Sequence, residues 1–539
     1  MSQLPHEQST QTVPESAGEP HGTPRAVHNP AFVLATASAT CALIVLDTNV
    51  VAVSLPSIAR SFHASFADVE WVVSAYMVAF ASCLLPAGAL ADRFGRKRTL
   101  LLGLAVFFLA SLGCGLAPSV AVLNIARAVK GVGAALLLPS ALAVIAHTFQ
   151  EGPARVRAWA VWGTCMGVAT TVAPLVGGMI TQWVGWRWIF LLNLPVCAVL
   201  AVCALRTIGE SRNPHAGPVD VAGSALFGTA LALLIWAFIE APTAGWTSLA
   251  TVVRFCVSAL LFTGFIQVQR LRQHAMVDLT LFRQPRFVAA VLAMFGYAAC
   301  AQVMMTFLPL YLQNAFGLSA VKAGTGMLPF ALAMVVGPYI GSALSRRLSA
   351  LSLLSTGLLL IGVGNLLTAL CAAPVAGDAR YGFVALGMIV TGIGAGVLNG
   401  DTQKAIMACV PPNRTGMASG ISTTTRFTAI VSSVGILGAV LAARTQSAFN
   451  ARPELTSAIR HELDAGFMSR VLAGDAAGAT ANLSPAVGAA LRSAAHISFA
   501  SGFSAALYLA GLIAIAIAVS VRLLAARASS SLASGIAVE

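Results

Sequence analysis

The chain reads as an all-α polytopic membrane protein. Fourteen transmembrane helices form two six-helix parallel repeats (spans 1–6 and 9–14), with two helices (7–8) inserted between them. Three observations predict this. Of 539 residues, 58% are hydrophobic and only 9% charged, against about 25% charged in a soluble domain. Apolar runs of the ~20 residues a helix needs to cross a bilayer recur along most of the length. Features of the first half also return in the second at near-constant spacing.

Taken in order, residues 1–30 are polar, rich in Gln, Glu, Ser, Pro and His, and lack the basic start and short apolar core of a cleavable signal; they read as a disordered cytoplasmic tail. Apolar runs bounded by charges, Gly or Pro then cover 31–55, 70–91, 99–117, 120–147, 157–181 and 187–206, the N-terminal six-helix lobe. Runs 220–240 and 249–269, with cytoplasmic linkers, make a two-helix insert over 207–286. The C-terminal lobe, 287–523, holds runs 287–312, 320–344, 350–371, 381–407, 415–442 and 498–523. Residues 443–497 form the one long extracytoplasmic segment, in which Leu455, Ile459, Leu463, Phe467 and Val471 recur every four residues. That stripe reads as a surface or mouth-capping amphipathic helix. Residues 524–539 read as a mobile Ala/Ser-rich cytoplasmic tail.

The repeat is visible residue by residue. Leu55-Pro56 returns as Leu308-Pro309, and Gly88 with its following Ala-Leu-Ala-Asp-Arg as Gly341 with Ser-Ala-Leu-Ser-Arg, both 253 residues on. Gly131-Val-Gly133 returns as Gly392-Ile-Gly394, 261 residues on. An even number of spans per repeat and per insert gives both halves one orientation, and places a substrate site between them near the midplane.

The net charge of +13 does not point to nucleic acid, because of where it falls. Basic residues cluster in alternate connections (Arg93, Arg96, Lys97 and Arg98; Arg155 and Arg157; Arg206 and Arg212; Arg270 to Arg286; Arg346 and Arg347; Arg414), while Arg60, Arg254, Lys322 and Arg380 are sparse in the others. This positive-inside bias places the first set and both termini in the cytoplasm, in a bacterial inner membrane. Ten scattered cysteines and the histidines show no metal spacing. Gly131-Val-Gly133 lies in a membrane run and not after a strand, and no phosphate-binding loop is present, so enzyme chemistry and ATP are not indicated.

The chemistry gathers in a few intramembrane polar residues. Asp47 lies inside the first run; a carboxylate there is tolerated when it faces a bundle interior or an aqueous cavity. In span 4, Arg127 lies at a similar depth, so the two can approach. A guanidinium favours the ionised carboxylate and burial the neutral one, which suits a group whose protonation follows a transport state. Lys130, three residues on, shares nearly the same face; it shares Asp47, meets an anionic substrate group, or snorkels. Between spans 2 and 3 runs Gly88-Ala-Leu-Ala-Asp92-Arg93-Phe-Gly95-Arg96-Lys97-Arg98.

This last string, with the fourteen spans and the repeat, resembles the loop motif of the major facilitator superfamily, over about residues 31–525. The resemblance implies that Gly88, Asp92, Arg93, Gly95 and Arg96 form a conformational latch, and that Arg127 is linked to proton coupling with Asp47. Lys130 departs from the family, where glutamine is usual. Gly163, Gly167, Thr170 or Thr171, Pro174, Gly177 and Gly178 of span 5 resemble the motif that marks the family's antiporters, with Ala173 where glycine is common. Trp186-Arg187-Trp188 and Asn193-Leu194-Pro195 are similar to the fourteen-span drug:proton antiporter group, as is Asp47 in its own motif, although Ala52 and Asn49 depart from it. The implied activity is export of drugs or toxic amphipathic molecules driven by the proton gradient, with no cofactor. Its alternatives are a dedicated exporter of one self-made metabolite, a proton-coupled importer, or a membrane sensor. Partners are then the small molecule, protons and lipid; a periplasmic adaptor and outer-membrane channel are not indicated by sequence.

In the second half, Asp401 follows Asn399-Gly400 and either binds a cationic group, pairs with Arg426, or is simply hydrated. Tyr76, Trp162, Tyr297 and Met304 suit an adaptable greasy cavity, together with Phe80, Met305 and Tyr311.

Overall fold

The computed structural model describes residues 29–150, 152–212, 220–272, 279–302, 304–372, 379–410, 415–452, 466–480 and 483–536. Among them are fourteen helices long and apolar enough to cross a membrane, each at a predicted run. The first six are α1 (Pro30–Phe62), α2 (Phe66–Phe94), α3 (Arg96–Gly115), α4 (Val120–Thr148), α5 (Gly152–Trp183) and α6 (Trp188–Thr207). The insert is α7 (Val221–Ala244) and α8 (Leu249–Leu271). The second six are α9 (Pro285–Asn314), α10 (Ala320–Leu344), α11 (Ala350–Ala372), α12 (Ala379–Ala408), α13 (Thr415–Asn450) and α14 (Pro485–Ile536).

Most helices overrun their apolar run because the flanking polar residues cap them. Ser65 and Asp68 form a capping box that starts α2 four residues before the predicted boundary; Ser119, Ser248 and Ser319 cap α4, α8 and α10 through their hydroxyls. Two end-of-chain expectations change. The stretch after 524 continues α14 to Ile536, since its Ala and Ser carry no helix-breaking Gly or Pro before Gly535. The long segment at 443–497 is shorter, because α13 runs on to Asn450 and α14 begins at Pro485. Of the proposed amphipathic stripe, Leu455, Ile459 and Leu463 lie outside the described residues. Phe467 and Val471 are buried in a short helix, Phe467–Ala473, packed on protein. Ser469 Oγ accepts from the Phe66 amide and Gly474 O accepts from Arg60, so this helix caps the ends of α1 and α2.

Helices α1–α6 pack on one another, as do α9–α14, giving two six-helix bundles. Small residues allow the closest approaches: a methyl on Gly131 would strike the backbone of Tyr76, and one on Gly133 that of Phe107, so α4 is pressed against both α2 and α3. The outward faces are apolar and exposed, at Leu109, Ile125, Val199, Leu260, Phe383 and Leu512 among others, as a lipid-facing surface requires. In α9 the winding widens to one π-turn over Ala298–Gln302.

The bundles meet along two seams. Along the first, α2 lies against α13 from Glu70 to Leu85: Glu70 meets Gly438, Phe80 packs edge-on to Phe427 at 4.3 Å, and Leu85 meets Gly420. Helix α7 covers this seam, touching Ser82 through Gly228 and Gly435 through Phe238 and Ile235; α8 packs outside it, with Ser258 Oγ donating to Ala230 O at 2.8 Å. Asp220 ties the insert's ends together, capping α7 at Gly223 and accepting from Gln269 and Arg272.

The second seam, between α5 and α10, fans open. Gly178 abuts Ala320, the Pro174 carbonyl abuts Gly324, and Gln182 Oε1 accepts from the Val321 amide at 3.2 Å. By Gly167 and Val335 the separation is already 4.0 Å from the position a Cβ would take, and nothing lies within 4 Å of such an atom on Gly163. The end that holds residues 152–163 is parted; the end that holds 174–183 is shut.

Candidate coupling site between α1, α2, α4 and α6

Asp47 sits eighteen residues into α1, buried to 4% exposure. Arg127 and Lys130, one turn apart on α4, are 1% and 0% exposed. Arg127 Nη1 donates to Asp47 Oδ2 at 2.7 Å, and Lys130 Nζ to Oδ1 at 2.5 Å. Asn193 Nδ2, near the start of α6, donates to the same Oδ1 at 3.2 Å. Arg127 Nε donates to the Val72 carbonyl of α2 at 2.9 Å.

One anion thus faces two cations in a protein interior, where an unpaired charge is expensive. Aromatic faces offset the excess positive charge. The Arg127 guanidinium lies 4.3 Å from the Tyr76 ring centroid, and Lys130 Nζ lies 4.6 Å from Phe107 and 5.0 Å from Phe190. The close approach at Gly131 and Gly133 brings these rings within reach.

Of the residues read from the sequence, Asp47, Arg127 and Lys130 come together, and the alternative in which Lys130 shares Asp47 is the arrangement found. Tyr76 belongs to this cluster as a cation platform. Trp162 packs edge-on to Trp159 in α5 at 5.6 Å. In the other bundle Tyr297 donates to Asn399 Oδ1 at 3.0 Å, the Arg426 guanidinium stands 5.6 Å from the Tyr297 ring, and Met304 is buried. Asp401 does not pair with Arg426; it accepts from the exposed Lys404 at 2.9 Å and lies against Gly341.

A cavity of about 20 Å³, room for roughly one water, does lie between the bundles. Thr48, Asn49 and Ala52 of α1, Val73 and Met77 of α2, Met305 and Thr306 of α9, and Ile430 of α13 line it. None of Tyr76, Trp162, Tyr297 or Met304 is among them.

In the connection after α2, Arg96 pairs with Asp92 at 3.2 Å, exposed Arg93 rests on Phe94, and Gly88 faces Pro139 of α4. Gly95 has φ +114°, a conformation that favours glycine. The Glu210 carboxylate fills the space a side chain would take there and accepts from the amides of Lys97 and Arg98, capping the start of α3. In α5, Gly177 and Gly178 make close contacts with Val50 and Ala320, while Gly163 faces open space.

Sequence reasoning missed three participants. Asn193 was legible only as part of a family string, although an amide inside an apolar run is itself a signal. Glu210 sits past the end of its run, and Glu70 of α2 lies at the edge of one.

A model of the Major Facilitator Superfamily matches residues 37–436. The chain is 35% identical over 405 residues to the multidrug resistance protein Stp of Mycobacterium tuberculosis, covering 74% of each chain. It is 31% identical over 447 residues to the tetracenomycin C resistance and export protein of Streptomyces glaucescens, covering 82% of this chain and 81% of that one. Its fold is similar to the crystal structure of a bacterial homolog of the human lysosomal transporter Spinster in an inward-facing, occupied conformation, with TM-score 0.63 at 18% identity over 92% of this chain and 97% of that one. Fourteen apolar helices in two matching bundles, an ion cluster sealed inside the first and a family match across most of the length identify the chain as a member of the Major Facilitator Superfamily.

Proposed function

We propose that the chain is a proton-coupled exporter of drugs or toxic amphipathic small molecules. It works by alternating access in the bacterial cytoplasmic membrane, with both termini inside. The relatives' names support the export of toxic molecules, and the positive-inside pattern supports the orientation. On that orientation the parted end of the α5–α10 seam faces the cytoplasm.

The observation that carries the coupling is the sealed set Asp47, Arg127 and Lys130. With Asp47 ionised the set carries one net positive charge; protonation leaves two buried cations without their anion. Removing one partner of a buried pair costs about 3–5 kcal/mol. A proton crossing ~150 mV supplies roughly 3.5 kcal/mol, a comparable amount. Protonation of Asp47 therefore drives α1 and α4 to rearrange, disfavours retained substrate and releases it outside; proton loss to the cytoplasm resets the cluster. Small side chains and methionines around the interbundle cavity suit varied apolar ligands.

Asp47→Asn keeps shape and hydrogen bonding but not charge. In everted vesicles the expected result is full loss of proton-driven substrate uptake, with folded protein in the membrane. Uptake against a gradient by this variant would refute the coupling. The name of the tetracenomycin relative favours a second reading of substrate range, one self-made metabolite, which a compound-sensitivity panel on a deletion strain distinguishes from a broad range.

A further inference from the structure

Asp47 is not the only carboxylate inside the bundle. Glu70, the fifth residue of α2, is buried to 4% exposure, and Oε1 has no hydrogen-bond partner. Among the described residues Glu70 makes no ion pair. Its carboxyl crosses the covered seam: a methyl on Gly438 of α13 would coincide with Glu70 Oε1 and lie 3.3 Å from Phe307 Cζ of α9. Val73, which lines the interbundle cavity, lies one turn further along the same face of α2. On the proposed orientation this contact closes the outer end.

The neighbouring charges are committed elsewhere. On α2, Asp68 serves the capping box with Ser65. On α1, Asp47 holds the two cations of α4, and Arg60 bonds to Ser57 and Gly474. On α7, Glu240 pairs with Arg254. On α13, Arg444 is exposed and Arg426 lies twelve residues away, on Tyr297. Arg470 belongs to the short capping helix and makes no ion pair with Glu70. The described residues of α9 bring one charge, Arg286, at the opposite end of that helix from Phe307.

A carboxyl enclosed this way fits against a glycine only as the neutral acid, because an unpartnered buried anion is too costly to hold there. We propose that Glu70 is a proton-binding site that locks the outer gate. When α2 and α13 part at this end, water reaches the carboxyl and it ionises. To close again it takes one proton from the outer solution, and it returns that proton to the same side on the next opening. The site makes gate closure depend on external pH without adding to the number of protons carried across. This rests on the alternating-access reading, but its test needs no transport.

The experiment is a distance measurement on the full chain in lipid nanodiscs, with the ten native cysteines replaced and spin labels at Trp183→Cys on α5 and Lys322→Cys on α10. An Asp47→Asn background removes the carboxylate of the coupling site. Lowering the pH from 9 to 5 should convert a long-distance, outer-open population to a short-distance one. Glu70→Gln should give the short distance at every pH. Gly438→Ala should favour the long distance, and adding Glu70→Ala to it should restore the short distance without pH response. An unchanged titration in Glu70→Gln, or no titration with Glu70 present, overturns the proposal. Absence of proton-driven efflux in the chain with Asp47 intact, alongside this titration, would count against the proposed function alone.

Discussion

The two bundles descend from one repeat, yet they put different chemistry at matching positions. Counting back nine residues from Pro56 reaches Asp47, and from Pro309 it reaches Cys300. Lys130 matches Thr391 across the 261-residue offset. Where the first bundle holds an anion between two cations, the second holds a neutral chain. Thr391 Oγ1 donates to Asn365 Oδ1 at 3.4 Å, and Asn365 Nδ2 donates to the Cys300 carbonyl at 2.8 Å. The first arrangement ties four helices together and the second three. Only the first contains a carboxylate that can change charge, so on the proposed mechanism the proton-linked work falls to that bundle.

That contrast can be broken by substitution, and the effects should fall in order. Asp47→Ala strands two buried cations and should lower stability by about 3–5 kcal/mol, read as a large drop in thermal midpoint in detergent, with proton-driven transport gone. Lys130→Met leaves a one-to-one pair of Asp47 with Arg127; folding should survive, while the pH profile of transport moves measurably, since one of two cations that oppose protonation has been withdrawn. Asn365→Leu keeps the volume but orphans the Cys300 carbonyl, at a cost of about 1–3 kcal/mol, and its transport should keep the wild-type pH profile. Thr391→Val removes a long hydrogen bond and should cost less than about 1 kcal/mol. A pH profile altered by Asn365→Leu as much as by Lys130→Met would erase the distinction between the bundles.

The two seams differ in a related way. The α2–α13 seam carries α7 as a cover and is in contact from Glu70 and Gly438 to Leu85 and Gly420, while the α5–α10 seam is parted at Gly163. The insert therefore stands beside the seam that is closed in this structure, and the seam opposite is the one parted at its 152–163 end.

The helices were legible because crossing a bilayer demands long apolar runs, and the repeat because paired motifs kept their spacing. Asp47 and Arg127 could be paired from depth alone. The fate of Lys130 could not: i,i+3 spacing gave its face, but the ring platforms under it depend on how closely α4 approaches α2 and α3. Glu70 was hidden by the same reasoning that found the span, since a charge at the edge of an apolar run reads as its boundary. The capping box at Ser65 moves that boundary outward by a turn and takes Glu70 inside. Asp401 was left among three readings, because the run alone does not tell how far water reaches; it lies partly exposed near the end of α12, beside Lys404 and not Arg426.

The wide turn at Ala298–Gln302 leaves two carbonyls free to look sideways: Ala299 O receives Ser433 and Cys300 O receives Asn365. A π-turn amounts to one surplus residue threaded into an α-helix. Winding these same residues as ordinary α-helix, with none removed, would swing everything beyond them by about 100°, the angle of one helical step. Met305 and Thr306 would rotate off the cavity wall while the sequence around them stayed intact. The spare residue acts as a phase-setter, fixing which half-turn of α9 lines the interbundle cavity.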